Sequence, residues 1–229
     1  MDRTNPASQA QWLIRLYKAD ENAQAKERDD SLFLTVLVRT QGKRVQGLRE
    51  VLLCLSAQSN MDFEVVIICH KAQEEGKENV RRLIEDCPPT LAQRLRLFEL
   101  NEGGRSAPIN MGFDVARGRY LAIYGDDDII TADWVEAFSR AESRSPGAIL
   151  HAYCVSQPWS YVSPDGEEGL RAEGPLDKIF CKDFELPMQC RVNRCPLLSL
   201  AFPVYLYRNM RQCFDEDLEV MEDWDFFMR

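Results

Sequence analysis

Residues 119–134, RYLAIYGDDDIITADW, decide the fold. Tyr120, Leu121, Ala122, Ile123 and Tyr124 make a short apolar run with aromatic and branched members, the composition of a buried strand. The run stops at Gly125, and Asp126, Asp127 and Asp128 follow. Three carboxylates therefore stand at the tip of a core strand. Their repulsion and desolvation must be offset by a cation or by donor groups, and hard divalent ions such as Mg²⁺ take carboxylate oxygens. One reading is a metal site. The other is a solvated acidic turn capping a helix that begins near Thr131 or Asp133, because Asp is favoured at N-caps and in first turns. The stretch alone leaves both open.

The upstream sequence supplies partners for this strand. Residues 32–38 (LFLTVLV) read as the first core strand, bounded by Arg39-Thr40-Gln41-Gly42. Leu48, Val51, Leu52 and Leu55 fall at i, i+3, i+4 and i+7, the apolar face of an amphipathic helix. Residues 63–69 (FEVVIIC) read as a second strand, 74–86 as a second helix closed by Pro88-Pro89, and 95–100 as a weaker third strand. Ile109, Phe113 and Ala116 mark a helix face leading back to the strand at 120–124. Such alternation implies right-handed βαβ units and a parallel sheet, with any ligand beyond the carboxyl ends of the strands. That rule places Thr40, Cys69-His70-Lys71, the loop 101–105 and the acidic triplet along one edge.

Downstream the pattern loosens. Residues 148–155 read as a further strand, and 157–187 as an irregular, substrate-facing insertion with turns at 163–166 and 173–175 and the aromatics Trp159 and Tyr161. Residues 193–207 form another apolar segment. Near the end, Val220, Trp224 and Phe227 share one helical face, so Glu222 and Asp223 are expected on its flank. At the other end, Trp12, Leu13, Leu16 and Tyr17 lie at helical spacing within 8–25, which reads as a helix packed on the main domain and followed by a linker.

Composition narrows the function classes. The 229 residues hold 28 Lys and Arg against 37 Asp and Glu, a formal charge of −9 that disfavours a broad nucleic-acid footprint. No apolar run nears the roughly 20 residues needed to cross a bilayer, and 1–30 lacks the apolar core of a signal peptide, so a soluble, cytoplasmic protein is expected. Eight cysteines lie scattered without a C-x-x-C pair and read as buried free thiols. Cys181, Cys190, Cys195 and Cys213 match no zinc spacing.

Four separated motifs together resemble one family, the inverting nucleotide-sugar glycosyltransferases of the second sequence family. LTVLVRTQ resembles its opening strand and nucleotide-contacting turn, with Thr40 in the usual Thr position. LREVLLCLSAQSNMDFEVVII resembles the following helix, Gln-containing turn and second strand. NEGGRSAPINMGFDVARGRYLAIYGDDDII is similar to the family's Asn-Gly, Arg, Asn, Ala-x-Gly and aspartate-rich elements, and CFDEDLEVMEDWDFFMR to its closing Phe-Asp-Glu and Glu-Asp elements. Each motif alone is weak; four in order, over 32–229, are specific. Two departures stand out. The family often ends its second strand in Asp residues that recognise the base, where this chain has Cys69-His70-Lys71. Family members also commonly continue beyond the point where Arg229 ends this sequence, as a compact or a truncated member would show.

The resemblance implies a Rossmann-like α/β fold of the A-type, a mostly parallel central sheet flanked by helices. It implies an N-terminal helix and linker over 1–30 and a catalytic domain over 31–229, with a nucleotide-sugar half (31–130) and an acceptor half (131–229). The implied activity is a metal-dependent inverting transferase of the hexosyltransferase type, moving a sugar from a nucleotide-diphosphate sugar to a hydroxyl of a glycan or lipid-linked acceptor in bacterial glycan or polysaccharide synthesis. Peripheral membrane association is compatible with it. Asp126 and Asp128 are then the expected ligands of Mn²⁺ or Mg²⁺, Asp223 the base, and Glu222 its support or substitute. Thr40, His70, Arg105, Asn110 and Asp127 are expected to bind the nucleotide sugar. In this reading Asp127 faces the ribose or binds nothing, and His70 offers a ring contact or one hydrogen bond. Two other functions fit parts of the pattern: an aspartyl-phosphate-forming phosphatase, whose Asp-x-Asp strand opens the chain instead, and a non-catalytic sugar-nucleotide-binding domain.

Overall fold

The computed structural model describes residues 32–162, 169–180 and 183–229. All lie in the second of the two units into which the chain divides, Leu32–Arg229. The expected helix at 8–25, the turn at 163–166 and Cys181 fall outside the described residues.

Strand β1 (Leu34–Thr40) is buried along its length except at Arg39, as its branched and apolar sequence requires. Helix α1 (Val45–Ser56) follows, then β2 (Phe63–His70), α2 (Glu74–Glu85), the one-turn α3 (Pro89–Ala92), β3 (Leu95–Leu100), α4 (Ala107–Val115) and β4 (Tyr120–Gly125). Pro89 does more than stop α2: its fixed φ and missing N–H suit the first turn of α3, where it sits. The period of two along the strands sorts side chains onto two faces. Val36, Val38, Val65, Ile67, Ala122 and Tyr124 pack against Val51 and Leu55 of α1, Val80 of α2, and Trp134 and Phe138 of helix α5 (Trp134–Arg144). Leu37, Val66, Ile68, Leu121 and Ile123 pack instead against Ile109 and Phe113 of α4 and an aromatic group of Phe202, Phe214 and Phe226. Covered on both faces, β1, β2 and β4 need no polar stripe, which is why they read as near-continuous apolar runs, whereas the half-buried β3 (LRLFEL) does not.

The main sheet has the order β3-β2-β1-β4-β10-β5, where β5 is Leu150–His151 and β10 is Leu200–Pro203. β1, β2, β3 and β4 run parallel; β10 is antiparallel to both its neighbours. The chain builds outward from β1 to β3 and then crosses back to place β4 on the other side of β1. This reversal is the switch point at which open α/β sheets leave a crevice. Register aligns the ends: Thr40 pairs with Cys69, and Arg39 with Gly125. The expected mostly parallel sheet flanked by helices is therefore the architecture found.

Several local expectations change. Residues 148–155 do not form one strand. The chain leaves the main sheet after His151, the Ala152 N–H is held by the Ser199 carbonyl at 2.7 Å, and β6 (Cys154–Val155) pairs with β9 (Ile179–Phe180). Within the insertion, β7 (Trp159–Val162) and β8 (Gly169–Ala172) form an antiparallel pair. After the one-turn α6 (Leu186–Gln189), the apolar segment at 193–207 divides into a 3₁₀ turn (Leu197–Ser199), β10 and a short α7 (Val204–Arg208). The last helix, α8 (Glu222–Met228), buries Glu222 and Phe226, whereas Val220 precedes the helix and is 62% exposed. The seven described cysteines are free thiols, although only Cys69 and Cys195 are buried.

Candidate active site

A cleft of about 420 Å³ opens at the carboxyl ends of β1 and β2, beside the switch point. Its walls come from the β1 end and the following turn (Arg39, Thr40, Gln41, Lys43, Arg44), from His70, from Arg105 before α4, and from Asp126. Four cations and one histidine thus surround one carboxylate, in a chain of net charge −9.

The acidic loop after β4 is built by short-range bonds. Asp126 accepts from the Thr40 hydroxyl at 2.7 Å and from Arg44 at 3.1 Å, and Arg44 also pairs with Asp127 at 2.5 Å. Asp128 turns back to accept the Gly125 N–H at 3.1 Å, and its carbonyl accepts the Tyr124 hydroxyl at 3.2 Å. A Cβ at residue 125 would stand 2.6 Å from Asp128 Oδ2, so a larger residue there would push the Asp128 carboxylate aside. Burial, reinforced by Asp127, holds the Asp128 carboxyl above its ordinary range. The triplet does not cap the next helix. α5 begins only at Trp134, its N-cap is Asp133, and no side chain caps it. Of the two readings of the triplet, helix capping is removed.

The predicted nucleotide-sugar residues are not all in one place. Thr40 is buried and its hydroxyl is used twice, donating to Asp126 and accepting the Gly42 N–H at 2.9 Å. His70 lines the cleft with Nε2 3.1 Å from the Glu102 carbonyl oxygen. Arg105 lines it too, with its side chain more than half exposed. Asn110 is not among the lining residues. Its buried amide accepts the Phe214 N–H and donates to the Phe214 carbonyl and Glu216, each at 2.9 Å, tying α4 to the segment before α8.

The two predicted acids of α8 part company. Glu222 is buried, with Oε1 3.3 Å from Arg105 Nε and 4.0 Å from Arg39 Nη2. Asp223 is partly exposed; it accepts the Asn193 amide on Oδ2 and the Trp224 N–H on Oδ1, both at 2.8 Å. A buried Gln189 supports Asn193 at 3.1 Å, and the Gln189 carbonyl accepts the Trp224 indole N–H at 2.8 Å. Sequence reading missed Arg39, Arg44 and Asn193. Arg39 carried a signal, a charge near the end of an otherwise apolar strand, and Arg44 lay in the basic turn Lys43-Arg44; nothing in the local sequence marked Asn193. Among the described residues, no group of three or more His, Cys, Asp and Glu side chains is arranged to hold a metal ion.

Comparison with known proteins follows the same lines. The family model described as Glycosyl transferase family 2 matches residues 35–161, more than half of the chain. Glycosyltransferase GlyG of Streptococcus pneumoniae serotype 4 is 25% identical over 139 residues, covering 60% of this chain and 42% of that protein. The crystal structure of S. aureus TarS 1–349 in complex with UDP-GlcNAc superposes with a TM-score of 0.61 at 17% identity, covering 86% of this chain and 52% of the other. The mannosyltransferase PcManGT of Pyrobaculum calidifontis, solved with GDP-Man and Mn²⁺, superposes with a TM-score of 0.56 at 16% identity, covering 92% of this chain and 59% of that one. The chain thus spans less than half of the curated relative and somewhat over half of each of these solved chains. Its sheet order, its acidic loop and the family match agree: the chain belongs to glycosyl transferase family 2.

Proposed function

We propose that the protein is a metal-dependent inverting glycosyltransferase that moves a sugar from a nucleotide-diphosphate sugar to an acceptor hydroxyl. The observation that carries this reading is the meeting of the carboxylate loop and four cationic side chains around one cleft at the sheet's switch point. A diphosphate supplies the charge and the acceptor oxygens that guanidinium groups bind in pairs. The complexes of TarS with UDP-GlcNAc and of PcManGT with GDP-Man and Mn²⁺ support a donor of this class.

Asp126 and Asp128 are the residues for Mn²⁺ or Mg²⁺. Their chemistry fits: hard ions take oxygen ligands, and one or two carboxylates suffice where phosphate oxygens complete the shell. Arg44 already pairs with Asp126 and Asp127, and a bound cation would in addition offset the burial and neighbouring acids that raise the Asp128 carboxyl. When bound, the ion supplies charge neutralisation of the departing diphosphate. Arg105 and Lys43 hold the phosphates; Thr40, His70 and Asp127 belong to the nucleoside side. Asn110 keeps the α4 loop in place from behind. Asp223, steadied by Asn193, takes the proton of the attacking hydroxyl, and Glu222 supports it. In-line attack from Asp223's side inverts the anomeric carbon. A glycan or lipid-linked acceptor, a bacterial polysaccharide pathway, peripheral membrane association and a cytoplasmic site of action accord with this assignment. No helix among the described residues is long and apolar enough to cross a membrane. The phosphatase alternative needs its Asp-x-Asp on an opening strand, whereas among the described residues the acids follow the fourth strand of the sheet.

The test is a thermal-shift screen of uridine, guanosine, thymidine and cytidine diphosphate sugars with and without Mn²⁺, followed by transfer assays. One donor should raise the melting temperature in a metal-dependent way. Asp128→Asn and Asp223→Asn should abolish transfer with the fold intact; full activity in both would defeat the assignment. No binding of any donor would favour a non-catalytic domain.

A further inference from the structure

Arg39 and Arg105 stand side by side in the cleft wall. The Arg39 guanidinium donates to the Arg105 carbonyl at 2.8 Å, and each guanidinium lies against the other's charge. Two adjacent cations need an anion between them, and in the free protein that anion is Glu222. One oxygen, Oε1, serves both, at 3.3 Å from Arg105 and 4.0 Å from Arg39. Glu222 comes from the far side of the molecule's chain order, on the first turn of α8, and is only 3% exposed. The residue before it, Met221, takes a left-handed φ of 65°, a conformation that costs a non-glycine residue energy. Thus a strained backbone delivers a buried carboxylate to two cleft-lining guanidinium groups.

We propose that Glu222 is a stand-in for the donor's diphosphate: it neutralises Arg39 and Arg105 until a nucleoside diphosphate takes Arg105 over. This rests on the donor assignment above. The exchange is chemically balanced. A diphosphate offers more oxygens and more charge than one carboxylate, and Arg105, with its side chain 58% exposed, is free to swing toward it. Arg39 is more enclosed and stays near Glu222, so the buried carboxylate keeps a counterion after Arg105 leaves. Glu222 adjoins Asp223 in sequence. Loosening its hold therefore frees the helix start that carries the proposed base, and donor binding on one side prepares the acceptor side.

The experiment is calorimetric titration of the full chain with uridine and guanosine diphosphates, at fixed Mn²⁺ and without acceptor. Glu222→Gln keeps the shape and removes the competing charge, so it should bind the diphosphate about five-fold tighter or more, in the range of site-to-site couplings. Arg105→Met should weaken binding and cancel that gain in the double variant. Should Glu222→Gln not fold, Glu222→Asp, which draws the carboxylate back by one methylene, should show the same tightening. A purely structural ion pair predicts lower melting temperature with unchanged or weaker affinity, and that result overturns the proposal while leaving the donor assignment standing. Absence of diphosphate binding in wild type and all variants overturns both.

Discussion

At the scale of single residues, the site shows charge placed at a cost. Asp128 is enclosed, neighbours two other acids, and has only the Gly125 N–H as a donor in reach of its carboxylate among the described bonds. Its ionised form is disfavoured in the folded protein, so at neutral pH its charge subtracts from stability. Asp128→Asn should therefore raise the melting temperature of the metal-free protein, since the amide oxygen still accepts from Gly125. The same variant should lose most of the stabilisation that Mn²⁺ gives the wild type. Scanning calorimetry with and without Mn²⁺ checks both, and a lower melting temperature without metal would contradict it. Such opposition between stability and function is expected where charge is held ready for a ligand. The carboxylates themselves were legible in the sequence, because an acidic triplet ending an apolar run has few bland explanations. Their partners were not: Thr40 lies 86 positions from Asp126, and Asn193 lies 30 positions from Asp223. Only the fold brings such groups together.

At the scale of elements, the strand and helix periods up to β4 were readable because each element buries one dominant apolar face or run. Reading failed where an element changes partner midway. The apolar run at 148–155 looks like one strand, yet its halves join different sheets. α8 departs from its sequence pattern for a related reason: hydrophobicity points to Val220 and Trp224, while the ion pairs of Glu222 hold that acid inward. One element contact bears directly on the site. Gly47, in the first turn of α1, lies so close to the acidic loop that a Cβ there would stand 2.3 Å from the Asp126 carbonyl oxygen. An alanine in a helix is favoured over glycine by about 1 kcal/mol. Gly47→Ala should thus leave a folded protein whose acidic loop is displaced. We expect at least a ten-fold loss of donor affinity by calorimetry, with little change in far-ultraviolet circular dichroism. Unaltered affinity would mean that the loop shifts without disturbing Asp126.

At the scale of the whole molecule, the sheet's far side has its own pH sensitivity, separate from the cleft. His151 ends β5, paired with Leu200 of β10, and its Nε2 is buried with no hydrogen-bond partner among the described residues. Burial lowers its affinity for a proton below the ordinary value of about 6.5. The unfolded chain, whose imidazole is solvated, binds a proton at that ordinary value. Between the two, the unfolded state carries more protons than the folded one, so stability rises with pH in this window. The contribution is complete above about pH 6.5 and declines as the pH falls through it toward the depressed folded value. Denaturant titrations from pH 8 to pH 5 should show this decline on top of that from the carboxylates, which is common to any variant. His151→Leu removes the imidazole while keeping an apolar side chain of similar size beside Leu150 and Leu200. Its stability should fall less between pH 7 and pH 5 than that of the wild type, and parallel curves would show that the imidazole takes up its proton within the fold. β10 is the antiparallel strand that joins β5 to β4 in the main sheet. Loss of stability there should accordingly appear as cooperative unfolding of the whole sheet, with donor binding at the carboxyl ends of β1 and β2 persisting until the transition itself.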